Sequence, residues 1–331
     1  YGMGKMIKDM GSPAFVILAG CMVGSVKGER TRLKEKILVN KVPWVSAYLS
    51  TDEIYDLPKI LFKNKLISSK TYESFNSDNV VAKTNSSTHT YVNISYGCDN
   101  FCSYCVVPYS RGREVHRPEK EILDEIEGLV RKGISEITLC AQNVNSWGLD
   151  RKTKFELRTG SSHKIPFANL LRKTHEIPEI TKISFLSSNP FDFTQDLVEA
   201  VALPKIDNYI HIAVQSGNND ILKAMNRRHT VEDFMDLISR IKKVKPSVEF
   251  GTDLIVGFPG ETESQFLDTV NLVESAKFSV AFIAMYSPRI GTSAQKTLKD
   301  DVSLKEKKRR HDLLTKVYMA NKPSNIRVCR G

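Results

Sequence analysis

Three cysteines stand within eight positions in "GCDNFCSYC", at Cys98, Cys102 and Cys105, with Phe101 and Tyr104 between them. Three thiolates so close together are donors for a soft metal centre. A structural zinc site needs a fourth ligand, usually from a second knuckle at suitable distance. His89 and His116 could supply one ligand, but neither forms a recognisable second half. A [4Fe–4S] cube normally takes four thiolates. Three leave one iron open, and an open coordination position is what catalysis requires, so the trio points to an enzyme. With only 6 cysteines in 331 residues, three of them clustered, the pattern is that of an intracellular metal or redox site, not a disulfide scaffold.

The elements that must position this loop read as strands alternating with helices. Apolar or β-branched runs occur at 91–96, 136–142, 182–188, 209–215, 250–258 and 279–287. Each is apolar enough to be buried on both faces, which argues for a parallel sheet covered by helices. Between them, Ile122, Leu123, Ile126, Leu129 and Val130 recur at helical spacing, and Gly133 can stop that helix. Thr230 with Asp233 makes a capping box, and Ser303 with Glu306 another cap. Six strand–helix units fall short of the eight of a closed barrel, so a partial, open barrel and a doubly wound sheet are both consistent with them. The charged stretch 151–164 reads as an inserted surface loop.

Residues 1–67 read as part of a small α/β domain, with a helix-like 4–10, a buried strand "AFVILAG" and a basic helical stretch after it. Residues 68–89 are rich in Ser, Thr and Asn and read as a linker, 90–318 as the catalytic core and 319–331 as the start of a further domain. No run approaches the ~18 apolar residues of a membrane span, and no signal peptide is evident. The net charge is +10, and nine Lys or Arg lie between Lys305 and Arg330 against Glu306 and Asp312. Such a patch suits a polyanion through phosphate contacts, and equally suits a solvated helix face.

Ligands of parallel sheets bind at the carboxyl ends of the strands. Gln142, Asn143, Ser187, Ser188, Asn189, Gln215, Asp253 and the turn "GFPGET" (257–262) lie within or at the end of their strands.

The cysteine spacing after the first strand, with an aromatic before the last cysteine, resembles the radical S-adenosylmethionine (SAM) superfamily. "GCDNFCSYCVVPYSRGRE", "AQNVNSW", "ISFLSSNP", "HIAVQSGNNDILKAMNRRHT", "TDLIVGFPGET" and "YSPRIGT" resemble its methylthiotransferases, over about residues 14–320. "AQNVNSW" is nearest the branch acting on isopentenylated adenosine in tRNA, as against those acting on ribosomal protein or threonylcarbamoyl-adenosine. The resemblance implies a partial (βα)6 radical-SAM barrel preceded by the remnant of a small α/β N-terminal domain and followed by a truncated RNA-binding, TRAM-like domain.

It implies also that Cys98, Cys102 and Cys105 hold a [4Fe–4S] cluster whose open iron grips SAM, and that one electron splits the sulfonium to a 5′-deoxyadenosyl radical. Sulfur would arrive through a second [4Fe–4S] cluster. Cys21 in "ILAGCM" aligns with the last of its three ligands, the other two lying before Tyr1, so this chain is expected to assemble that cluster poorly. Phe101 and Tyr104 are placed to shield the first cluster and contact adenine, or simply to pack. Gln142, Asn143, Ser188, Gln215 and Arg227 are candidates for SAM, and Asp253 for substrate or proton handling; Arg227 offers a rigid fork of donors. Arg111 and Arg113 could receive phosphate. Ala141, Asn189 and Ala213 stand where the family often has Gly, His and Pro. The implied partners are a tRNA anticodon stem-loop and an electron donor such as flavodoxin or ferredoxin, in a cytoplasmic monomer without membrane contact. A non-catalytic zinc-stabilised RNA-binding module is the alternative of another class.

Overall fold

A computed structural model describes residues 6, 9–11, 14–31, 34–51, 53–75, 88–158 and 164–323. The chain divides into two compact units, Tyr1–Asn85 with Tyr96–Phe101 and Cys105–Glu114, and Ser86–Ser95 with Cys102–Tyr104 and Val115–Gly331.

In the first unit, strand β1 (Ile17–Ala19) runs into helix α1 (Cys21–Lys27), followed by α2 (Glu35–Lys41), β2 (Ala47–Leu49), α3 (Leu57–Lys63), α4 (Ser69–Phe75) and, much later, α5 (Val107–Ser110). β1 and β2 pair in parallel, Ile17 opposite Ala47. Val23, Val26, Leu38 and Val42 form the core beneath them. α5 lies against α1 at Gly24, where a Cβ would stand 2.1 Å from the Ser110 carbonyl oxygen. α4 occupies the start of the stretch read above as a linker; Lys70 and Glu73 favour a helix once started. The helix-like 4–10 falls largely outside the described residues, as do 324–331.

The second unit carries the six strands expected from the apolar runs: β3 (His89–Asn93), β4 (Glu136–Cys140), β5 (Lys182–Phe185), β6 (Tyr209–His211), β7 (Glu249–Val256) and β8 (Val280–Met285). Every pairing between them is parallel, with His89 opposite Glu136, Glu136 opposite Lys182, Tyr209 opposite Glu249 and Val280 opposite Gly251. The triplets β3-β4-β5 and β6-β7-β8 are joined by bridges between Ile183 and Ile206 and between Ser188 and Ile212. The strands therefore follow one another in sequence order, an α/β arrangement in which β3 and β8 do not pair among the described residues.

The helices between the strands are α6 (Glu119–Val130), α7 (Arg151–Arg158), α8 (Pro166–Glu176), α9 (Gln195–Val201), α10 (Asn219–Ala224), α11 (Val231–Val244), α12 (Glu263–Ala276), α13 (Ser293–Thr297) and α14 (Leu304–Asn321). Phe234, Leu237, Ile238 and Ile241 of α11, with Phe266, Val270 and Val273 of α12, pack on the same core as Phe250, Leu254 and Val256 of β7. Alternation along β7 then puts Asp253 and Ile255 on its other face. The Thr230–Asp233 capping box is formed, and Ser303 caps α14 through the Glu306 N–H. α7 corrects the surface-loop reading of 151–164 in its first half: Lys, Glu and Leu are strong helix formers whatever their charge.

Candidate functional site

The cysteine loop leaves β3 and turns on two left-handed residues, Gly97 (φ 71) and Phe101 (φ 51). Gly97 is required, because a Cβ there would meet the Arg113 carbonyl oxygen at 1.9 Å. The strained Phe101 ring is held from both sides in the first unit. The Arg30 guanidinium lies 5.1 Å from its centroid, and the Tyr109 ring approaches edge-on at 5.9 Å. Arg30 also pairs with Asp99 at 2.7 Å. Cys98 is buried and Cys105 half-buried, and the Val107 N–H points at the Cys105 sulfur at 3.4 Å.

Cys102 belongs to the second unit, where its surroundings are fixed by its neighbour. The Ser103 N–H donates to the Met225 carbonyl (2.9 Å), its hydroxyl to the Ala224 carbonyl (2.8 Å), and its own carbonyl accepts from Ala294 N–H (2.8 Å). Tyr104 packs against the apolar cluster of Ile221, Met225, Phe258, Tyr286 and Ala294. Just past α10 the chain turns at Asn226 (φ 56) and brings Arg227 back, so that Nη1 lies 3.5 Å from the Cys102 sulfur and Nη2 donates to the Ala213 carbonyl at 2.5 Å. The Phe191 ring lies beneath both Arg227 (5.2 Å) and Arg228 (5.5 Å). His229, stacked on the same ring, is pushed down to about 3 by burial and then by Arg227, so its imidazole is neutral at physiological pH.

None of the three loop cysteines is in a disulfide, and their thiols suit a centre held by thiolates, with N–H donors directed at the sulfurs of Cys102 and Cys105. Among the described residues no three His, Cys, Asp or Glu side chains gather around a single-ion position. His89, considered above as a zinc ligand, instead shares a hydrogen bond with Thr138 at 2.9 Å. Cys140, on β4, is pushed up to about 11 by burial, an inert thiol.

The strand-end candidates separate into three groups. Asn143 and Asn189 belong to a buried polar network with Asn145, Ser146 and Asp192: Asn145 donates to the Asn189 carbonyl (2.9 Å) and Asn189 to Asp192 (3.0 Å), while Asn143 bonds both Ser146 and Asn189. The Ser188 hydroxyl bonds the His211 carbonyl. These groups tie strand-end loops together, whereas Gln142 stays half-buried beside them. Gln215, in left-handed backbone (φ 78), and Asp253 line a cavity of about 520 Å³ with Phe282, His311, Thr315 and Tyr318. Asp253 there faces His211 at 3.5 Å, a partner that the sequence marks only as a polar residue within an apolar strand.

Two of the six cations of α14, Lys307 and Arg310, are internal. Lys307 pairs with Asp300 at 2.6 Å and Arg310 with Glu261 at 2.8 Å, both pairs drawn from nearly buried cations, and Arg309 pairs with Glu306 at 2.7 Å. The exposed cations of α14 are Lys305, Lys308, Arg309 and Lys316. The "GFPGET" turn is anchored by the same pairing, since Glu261 accepts from the Gly257 N–H at 2.6 Å as well as from Arg310. Arg113 pairs with Glu29 at 2.9 Å on an exposed surface. No helix among the described residues is long and apolar enough to cross a membrane.

Residues 92–273 match the Radical SAM superfamily. Over 322 residues the chain is 37% identical to a tRNA-2-methylthio-N(6)-dimethylallyladenosine synthase of Clostridium botulinum (strain Loch Maree / Type A3), covering 96% of this chain and 68% of that one. It is 46% identical over 227 residues to the protein of that name from Thermotoga petrophila, covering 68% of this chain and 49% of the relative. Among solved structures, the cobalamin-dependent S-adenosylmethionine radical enzyme OxsB is similar with a TM-score of 0.50 at 13% identity, covering 97% of this chain and 46% of that one, a likeness of fold.

Proposed function

The chain belongs to the Radical SAM superfamily and, within it, to the methylthiotransferases, a family of enzymes, and from that premise we propose that it serves the conversion of N(6)-isopentenyladenosine beside a tRNA anticodon to the 2-methylthio nucleoside. The observation that carries the reading is the trio Cys98, Cys102 and Cys105 on the loop that follows the first of six sequential parallel strands. A [4Fe–4S] cluster bound there would supply the electron that splits SAM reductively.

The chain's own residues do the rest. Gln142, Gln215, Arg227 and Asp253 present amide, guanidinium and carboxylate groups to SAM at the carboxyl ends of the strands. Asn143 and Ser188 hold those ends together, and Phe101 and Tyr104 set the two flanks of the loop. The adenine must leave its anticodon stack to reach this depth, which costs least in a single-stranded loop. Arg111 and Arg113 are offered to the RNA backbone; the Arg113–Glu29 pair is exposed, worth ~0–1 kcal/mol, and readily exchanged for a phosphate. Sulfur delivery through a second cluster, with Cys21 as one ligand at the start of α1, an electron donor of the flavodoxin or ferredoxin type, and a cytoplasmic monomer complete the proposal.

Anaerobically reconstituted protein is expected to bind iron at the loop, to convert SAM to 5′-deoxyadenosine under a strong reductant, and to add a methylthio group to tRNA carrying isopentenyladenosine. An iron content unchanged from native in the triple Cys98→Ser, Cys102→Ser, Cys105→Ser variant, or SAM left intact by the native chain, overturns it.

A further inference from the structure

The guanidinium of Arg227 approaches a sulfur assigned to the cluster and is held there by two further contacts. Nη2 is fixed on the Ala213 carbonyl, the plane lies over Phe191, and Nη1 is left 3.5 Å from Cys102. The sulfur is fixed in turn, because Ser103 is pinned to Met225 and Ala224, the residues just before the turn that delivers Arg227. One short stretch thus sets both donor and acceptor. An arginine stays cationic at any working pH, and it is half-buried here, where solvent screens its charge less than at the surface.

Net charge and hydrogen bonds to the sulfurs are the levers by which a protein sets a cluster's reduction potential. We infer that Arg227 is a redox-tuning residue: its N–H to the Cys102 sulfur, with its fixed positive charge, makes the cluster easier to reduce. The step concerned is the uptake of one electron from an external low-potential donor; no bond to carbon or hydrogen is made or broken in it. The inference deepens the reading of Cys102 as a cluster ligand and rests on it.

The test is a redox titration of anaerobically reconstituted protein without SAM, following the reduced cluster by electron paramagnetic resonance. At a fixed solution potential near the native midpoint, R227Q should show about a tenfold smaller ratio of reduced to oxidised cluster, which is 59 mV for a one-electron couple. R227K, which keeps the charge but loses the fork, should fall between. Iron counts and the oxidised spectrum should stay native in both. A second measurement needs no variant: in native protein grown with ¹⁵N-arginine, the reduced cluster should show hyperfine coupling to a guanidinium nitrogen. Equal midpoints in native and R227Q protein of full iron content overturn the inference. Should R227Q fail to hold iron, absence of the ¹⁵N coupling in native protein overturns it and its presence upholds it. Native protein that binds no iron is a different failure, that of the cysteine assignment itself.

Discussion

Removing the Arg310 side chain separates a structural role from an RNA-binding one. Arg310 sits in the most basic stretch of the chain, yet only 6% of its side chain is exposed and none of that of Glu261, with which it pairs. Its Nη1 donates to both the Glu261 carboxylate and carbonyl at 2.8 Å, and its Nε to Glu306 at 2.8 Å. Breaking a buried pair by deleting one partner costs about 3–5 kcal/mol, since the other charge is left uncompensated. At about 2 °C per kcal/mol, R310M should unfold roughly 6–10 °C below the native protein in a thermal melt. Burial already raises the Glu261 carboxyl above its ordinary 4.5 with Arg310 beside it, and losing Arg310 raises it further. A carboxyl raised in the folded state binds more protons there than in the unfolded chain, so stability falls as pH climbs from the unfolded value through the folded one. The deficit of R310M should therefore be smallest near about pH 5 and widen toward about pH 8. Adding E261Q, which removes the stranded charge and keeps an acceptor for Gly257, should recover at least half of the loss and flatten the pH dependence. A melt within about 2 °C of native, or no recovery in the double variant, refutes the reasoning; weaker tRNA binding with an unchanged melt would return Arg310 to the RNA.

Four further outcomes are expected. G97A places a methyl 1.9 Å from the Arg113 carbonyl oxygen in left-handed backbone, and should cut bound iron per chain by about half or more. K308E with K316E, both exposed, should weaken tRNA binding and shallow the salt dependence by roughly 0.7–0.9 for each phosphate no longer neutralised, with no change in melting. With its thiol at about 11, Cys140 is about one part in a thousand thiolate at about pH 8, so alkylation there, read by peptide mass, should rise about tenfold per pH unit up to about pH 10. T230A removes the cap of α11 and should cost about 1 kcal/mol in urea unfolding.

The six strands were legible because their runs are rich in apolar and β-branched residues, even where one face stays open, as at Tyr91 of β3 and Phe282 of β8. α6 and α11 were legible from stripe and cap together. α4 and α7 were not, since polarity was weighed above propensity in "SKTYESF" and "RKTKFELR". The cysteines announced themselves by spacing alone. Their surroundings did not: Arg227 lies 125 positions from Cys102, and His211 meets Asp253 across two strands, so no local window contains either pair. The basic tail was legible only in part for a related reason. Lys307 and Arg310 find acids 7 and 49 positions away, and a charge count cannot tell a solvated cation from one already neutralised.

The sequential order of the six strands bears on how the chain is made. Each new strand meets the one that left the ribosome just before it, so the sheet can lengthen from β3 toward β8 without waiting for a distant partner, at the ~5–20 residues per second of synthesis. Growth then halts at β8, whose Phe282 remains 60% exposed on the outermost strand. That unsatisfied rim is where a nascent chain would be most adhesive, and where a crowded cell has most reason to keep newly made copies apart.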